Sequence, residues 1–101
     1  MTAMNLGNAL YGSGKHKEAV KIYRETLAIQ KQVLGPKHPN TLRIAGNLGT
    51  TLAALGKMEE SETLLCKTLA VQKQVLGDDH PQTLHCLRRL KKLFGDTSNK
   101  V

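Results

Sequence analysis

Two side-chain amides and one guanidinium recur at a fixed interval along this chain of 101 residues. Asn5, Asn47 and Arg89 follow one another at steps of 42 residues. The same step relates further polar and basic residues, which are Asn8, Thr50 and Lys92, together with Arg43 and His85. An amide donates hydrogen bonds through its NH2 group, and a guanidinium holds a carboxylate with two parallel bonds. If the fold brings these side chains together, the chemistry that they offer is recognition of carboxylates.

The segment Gly-Ser-Gly-Lys at residues 12–15 invites comparison with a phosphate-binding loop. That loop requires Gly at the place of Ala9 and Ser or Thr at the place of His16. It also follows a strand, whereas a helical pattern precedes this segment. We therefore reject nucleotide binding by residues 12–15.

Metal binding and catalysis find no support in the residue types. His38 and His80 each precede a proline, but no Cys or carboxylate cluster accompanies them at ligand spacing, so helix capping is the better interpretation. Cys66 and Cys86 form no CxxC pair, which predicts single reduced thiols rather than a disulfide or a nucleophile. No Ser-His-Asp or paired-carboxylate arrangement is visible. We predict no catalytic residue, no metal and no cofactor, and therefore no enzyme.

The step of 42 residues belongs to an internal repeat. The segment Leu-Gly-Pro-Lys-His-Pro-Asn-Thr-Leu at residues 34–42 returns as Leu-Gly-Asp-Asp-His-Pro-Gln-Thr-Leu at residues 76–84. When residues 5–42 are aligned with residues 47–84, 20 of the 38 pairs are identical. Self-similarity at a fixed period predicts a solenoid, in which successive units bury their apolar stripes against each other.

The spacing of apolar residues predicts helices rather than strands, because Leu and Ala dominate and the prolines fall between periodic segments. The five expected helices cover residues 1–13, 16–34, 40–55, 57–76 and 81–94. We expect helices to end at Gly14, Gly35 and Gly56. We expect others to begin near Pro39 and Pro81. His38 is expected to act as an N-cap, since the following proline holds it extended.

Each helix carries a stripe of residues that we expect to be buried. In the second helix these are Ala19, Ile22, Tyr23, Thr26, Leu27, Gln30, Val33 and Leu34. In the third they are Leu42, Ala45, Leu48, Gly49 and Leu52, and in the fourth Ser61, Leu64, Leu65, Thr68, Leu69, Val75 and Leu76. Gly7 and Gly49 hold equivalent positions, where a missing side chain permits a close helix crossing.

Composition and charge limit the classes of partner and location. The formal net charge is +7, from 15 Lys and Arg against 8 Asp and Glu, which favours acidic peptides, nucleic acid or an anionic membrane surface. Only three aromatic residues are present, so base stacking and hence nucleic-acid binding are disfavoured. No apolar run approaches the roughly 20 residues of a membrane span. With no hydrophobic signal core at the N-terminus, we expect a cytoplasmic protein.

The repeat divides the chain into units at about residues 1–38, 39–80 and 81–94, that is, two and a half repeats. The last helix carries Lys91 where the other units have Gly7 and Gly49, which is typical of a terminal capping helix. Residues 95–101 are small and polar, and we expect them to be disordered. The first helix lacks a proline start and a cap, which predicts either an array truncated at its N-terminus by an unknown number of repeats or an incomplete gene model.

These patterns resemble the tetratricopeptide repeat. In the first unit the family's large and small positions are matched by Ala3, Leu6, Gly7, Leu10, Gly14, Ala19, Tyr23 and Leu27. In the second unit they are matched by Ala45, Leu48, Gly49, Leu52, Gly56, Leu65 and Leu69, with Ser61 in place of the usual Ala. The family's standard unit has about 34 residues. The longer step and the joint Val-Leu-Gly-x-x-His-Pro-x-Thr-Leu are similar to the kinesin light chain type.

The resemblance implies an all-α fold, a right-handed α-solenoid of antiparallel helix pairs, and a role as an interaction scaffold. In this family the first helix of each unit lines a concave groove, which would hold an acidic peptide or partner protein. Some members hold a peptide carboxylate in a clamp, and Asn5, Asn47 and Arg89 match it in part. The expected groove residues are Asn5, Asn8, Arg43, Asn47, Thr50, His85, Arg88, Arg89 and Lys92. The asparagines could instead bridge neighbouring helices.

A second functional hypothesis remains open, because similar repeats occur in the C-terminal arrays of NB-ARC-type signalling proteins. The chain would then be the sensor or regulatory array of a larger protein. The identity of the partner and the oligomeric state do not follow from the sequence.

Overall fold

Five α-helices follow one another through residues 3–95, which are the residues that the computed structural model describes, with side chains from residue 5 onward. They are α1 (Ala3–Gly12), α2 (His16–Val33), α3 (Pro39–Ala54), α4 (Met58–Val75) and α5 (Pro81–Phe94). Within this range there is no strand. The all-α prediction is confirmed, and each helix lies within a residue or two of its expected bounds.

The joints that precede α3 and α5 have the same geometry. His38 and His80 are extended, and the Nδ1 atom of each accepts a hydrogen bond from the backbone N–H two residues later, at 3.1 Å in both cases. Proline then occupies the first turn, where no backbone donor is needed. The predicted capping role of His38 is confirmed. Helix α2 ends one residue earlier than expected, with Leu34 as its C-cap and Gly35 beyond it at a φ of 95°.

Each helix packs against the next one in the chain, and α5 also contacts α3. This order of contacts is that of a solenoid of antiparallel helix pairs, as predicted. One core cluster joins α2 and α3 through residues such as Tyr23, Ile44 and Leu52. A second joins α4 and α5 through Leu65 and Leu90.

Two glycines bring the paired helices close, as expected. A Cβ atom added to Gly49 would lie 2.7 Å from Leu65 Cγ, and one added to Gly7 would collide with the ring of Tyr23. The Ser61 hydroxyl donates to the Gly49 carbonyl oxygen at 2.6 Å and is fully buried. Ser61 thus stands where the family usually has Ala, and its hydroxyl adds a hydrogen bond between α3 and α4.

The predicted buried stripes are wrong at the C-terminal ends of α2 and α4. Val33 is 73% exposed, and Leu34 and Val75 are 40% and 43% exposed. These three residues lie in the last turn of α2 or α4, or directly after it. The helical spacing of apolar residues continues to the end of a helix whether or not a neighbouring helix covers that turn. The stripes also omitted Val20 and Ile44, which are buried.

We expected residues 95–101 to be disordered. Residues 96–101 of this tail lie outside the described range. The unit boundaries remain a prediction.

Candidate peptide-binding groove

A groove of about 410 Å³ lies between α3 and α5, with α4 contributing to its floor. The residues that line it are Leu42, Arg43, Gly46, Asn47 and Thr50 of α3, Leu65 and Gln72 of α4, and Pro81, Gln82, His85, Cys86, Arg88 and Arg89 of α5. The repeat explains this arrangement, because α3 and α5 are the first helices of successive units and α4 is the second helix that separates them in the chain.

Six of the nine predicted groove residues line this groove, and they are Arg43, Asn47, Thr50, His85, Arg88 and Arg89. Asn8 is not part of the lining but contacts Asn47. Asn5 on α1 and Lys92 on α5 are exposed and lie outside the lining. The 42-residue register thus brings most of the predicted side chains together.

The asparagine pair forms a polar bridge between α1 and α3. Asn47 Nδ2 donates to Asn8 Oδ1 at 3.4 Å, and the hydroxyl of Tyr23 donates to the same oxygen. Burial raises the pKa of Tyr23, as does nearby Tyr11, while the charge of Arg89 acts in the opposite direction. Asn8 therefore connects the core of the first helix pair to the groove.

Thr50 contributes less to recognition than the sequence led us to expect. Its side chain is 9% exposed, and its hydroxyl donates to the carbonyl oxygen of Gly46 one turn earlier, at 3.1 Å. Because that hydrogen is already used within α3, Thr50 offers a ligand at most an acceptor and a methyl group.

Arg43 and Gln82 meet across the groove. With the Gln82 amide assigned so that its oxygen faces α3, Oε1 accepts from both Nε and Nη2 of Arg43, at 3.0 Å each. The sequence analysis did not identify Gln82. Gln82 lies three residues before His85 in the same helix, and this spacing could have indicated that the two side chains share a face.

The charge in the groove has one sign. Arg43, Arg88 and Arg89 line it, and none of the lining residues is acidic. The pKa of His85 is lowered by partial burial and by the positive charges of Arg89 and Arg88. Burial, assisted by Cys66 and opposed by Arg89, raises the pKa of Cys86 to about 11, so this thiol is protonated at neutral pH.

A buried amide lies at the floor of the groove. Gln72 is 2% exposed, and its Oε1 atom has no hydrogen-bond partner among the described residues. A covered acceptor without a partner costs about 1–3 kcal/mol. The sequence analysis predicted that Gln30, the equivalent residue of the first unit, is buried, but it did not include Gln72 among the buried residues of α4.

Another cleft, of about 820 Å³, lies between α2 and α4 and has a different character. Its lining carries both signs of charge, including Arg24 and Glu60, which form an ion pair at 2.7 Å. Its charges are therefore largely balanced within the chain, unlike those of the α3–α5 groove.

Neither a metal site nor a membrane span is found within the described part of the chain. No group of three or more His, Cys, Asp or Glu residues there is arranged to hold a metal ion. None of the helices described is long and apolar enough to cross a bilayer.

Comparison with known proteins agrees with the helix pairing. The sequence profile of the tetratricopeptide repeat matches residues 1–74 and, in a second placement, residues 43–99. Among curated proteins, none matches the chain. The two profile matches together take in nearly the whole sequence, and they fall on the helix pairs whose close crossings lie at Gly7 and Gly49. The chain therefore belongs to the tetratricopeptide repeat family.

Proposed function

We propose that this protein is an interaction scaffold that holds an acidic segment of a partner protein in the α3–α5 groove. Tetratricopeptide repeats serve in general in protein–protein interaction. The observation that carries the acidic specificity is the charge of the groove, since Arg43, Arg88 and Arg89 line it without an acidic residue among them. A segment rich in Asp and Glu offers the complementary charge.

The proposal keeps the carboxylate clamp but assigns different roles to its residues. Asn47 and Arg89 lie in the groove lining and would hold a carboxylate directly. Asn8 would act through Asn47, whose amide it contacts. Asn5 and Lys92 would extend the recognition surface along α1 and α5, outside the groove itself.

The finer assignment is to an adaptor of the kinesin light chain type. Its support is the step of 42 residues and the joint in which His38 and His80 cap the following helices. We also propose a cytoplasmic location, because both cysteines are free and thiols stay reduced in that compartment. A catalytic role is disfavoured by the family, whose members are typically scaffolds.

A peptide titration tests the acidic specificity. A fluorescent peptide of alternating Glu and Gly residues is compared by anisotropy with its Gln-for-Glu counterpart, at low and high salt. We expect the Glu peptide to bind with a Kd of about micromolar order, and added salt to weaken binding because it screens the exposed charges. Equal affinity for the two peptides, or no binding of either, would refute the proposal.

A further inference from the structure

The α3–α5 groove concentrates more positive charge than a single carboxylate requires. Three guanidinium groups line one cavity of about 410 Å³, two of them on α5 and one on α3. A carboxylate brings one negative charge, whereas a phosphate monoester carries about 1.5 to 2 at neutral pH and three strong acceptor oxygens. The charge of the groove is therefore matched better by a phosphate group than by one acidic side chain.

The contact between Arg43 and Gln82 leaves Arg43 able to bind an anion. Gln82 occupies Nε and one hydrogen of Nη2. A guanidinium has five N–H donors, so the Nη1 pair and the second Nη2 hydrogen stay available along the other edge of the fork. Gln82 also fixes the plane of the guanidinium, which reduces the conformational entropy lost when an anion binds.

The composition of the lining favours a phosphate carried by a peptide over one carried by a nucleic acid. No Phe, Tyr or Trp lines the groove. Sequence-tolerant binding of single-stranded nucleic acid relies on stacking of bases on such rings. A phosphorylated side chain needs only the guanidinium groups, and the amide of Asn47 in the same lining could hydrogen-bond to a peptide backbone.

We propose that the groove is a subsite for a phosphorylated serine or threonine of the bound segment, held by Arg88 and Arg89 from one side and by Arg43 from the other. Gln82 acts as a positioning residue for Arg43. This inference rests on the proposed function, since it names the acidic group that the same groove prefers.

The test compares three synthetic peptides that differ only at their central residue, which is phosphoserine, aspartate or serine. Affinities are measured by isothermal titration calorimetry with the whole chain. We expect the phosphoserine peptide to bind about tenfold more tightly than the aspartate peptide, because the phosphate engages more guanidinium donors. The serine peptide should bind most weakly.

The variant Gln82→Ala, which changes no charge, tests the positioning role. We expect it to reduce the phosphoserine-to-aspartate affinity ratio about threefold. Asn40→Ala is the matched control, because Asn40 holds the equivalent position at the start of α3 and does not line the groove. The phosphoserine-to-aspartate affinity ratio of Asn40→Ala should equal that of the unaltered chain. Equal losses in the two variants would overturn the positioning role.

The outcomes separate this inference from the proposed function. Equal affinity for the phosphoserine and aspartate peptides, both above serine, would overturn the phosphate subsite and leave an acidic-peptide groove. Equal affinity for all three would remove both. Tight binding of free phosphoserine, without gain from the peptide, would assign the site to a small phosphate compound and overturn the proposal.

Discussion

Gly49 and Leu65 meet at a close crossing of α3 and α4, since a Cβ atom on Gly49 would come within 2.7 Å of Leu65 Cγ. Leu65 is fully buried and also lines the floor of the groove. Any change that separates these two helices therefore alters the floor of the groove as well as the core.

The variant Gly49→Ala is expected to destabilise the fold by about 1–3 kcal/mol, because the added Cβ atom would force the fully buried side chain of Leu65 out of its present position. Gly46→Ala is the matched control on the same helix, since a Cβ atom there meets nothing within 4 Å. It should raise stability by about 0.5–1 kcal/mol, as Ala favours helices over Gly. Urea unfolding followed by circular dichroism measures both. If both variants shift stability in the same direction, the helix pairing described here is wrong.

Replacement of Gln72 by Met should raise stability by about 1 kcal/mol. The substitution keeps the volume of the side chain and removes a buried oxygen that has no partner among the described residues. Gln30→Met, at the equivalent but less buried position of the first unit, should have a smaller effect. Thermal unfolding of the two variants measures the difference. Loss of stability in Gln72→Met would show that the amide has a partner, such as an internal water molecule.

The bridge around Asn8 predicts a cost for losing the hydroxyl of Tyr23. Tyr23→Phe leaves the ring in the core and removes only the hydrogen bond to Asn8. We expect a loss of about 1 kcal/mol in the free energy of unfolding. Tyr11→Phe, an exposed residue of α1, serves as the control and should change little. Unfolding curves that coincide for both variants would mean that the bridge does not stabilise the fold.

Binding of an acidic peptide should strengthen as the pH falls toward 6, through His85. In the free protein its pKa lies below the ordinary 6.5, because partial burial and the charges of Arg89 and Arg88 disfavour the protonated form. A bound carboxylate favours that form, so the complex takes up a proton and the affinity rises by roughly threefold below about pH 7. Cys86, with a pKa of about 11, stays neutral over this pH range.

The control for this effect is His85→Gln, whose affinity should vary little over the same range. The stability of the free protein should change in the opposite direction. His85 binds a proton more readily in the unfolded state than in the folded state, so the free energy of unfolding decreases as the pH falls through 6.5. His85→Gln should lose less of this free energy over the same pH range. A peptide affinity that depends on pH equally in both proteins would exclude His85 as the cause.

The repeat is the reason that the fold could be predicted. Identical residues in two units report the same local geometry twice, as at His38 and His80, and a pattern of small residues such as Gly49 and Ser61 fixes the helix crossing. Burial at the helix ends, as at Val33, depends on how far a neighbouring helix extends, which periodicity alone does not reveal.

The candidate site was predicted only in part, for a similar reason. The register shows which residues occupy equivalent positions, and it brought Asn47 and Arg89 to one groove. It does not show which long side chains meet across that groove, so the contact of Gln82 with Arg43 was missed. Nor does it show that the Thr50 hydroxyl is used within its own helix.

Charge reversal at two positions tests most directly the claim that the α3–α5 groove recognises acidic segments. Arg89 lies in the groove lining, while Lys57 lies at the cleft between α2 and α4. Arg89→Glu and Lys57→Glu change the net charge equally, and binding of the Glu peptide is measured for each by anisotropy, with circular dichroism to verify the fold. We predict that Arg89→Glu abolishes binding and that Lys57→Glu leaves it within about twofold, because exposed charges away from the site are screened. Equal losses from the two substitutions would mean diffuse charge attraction only, and would contradict a specific groove.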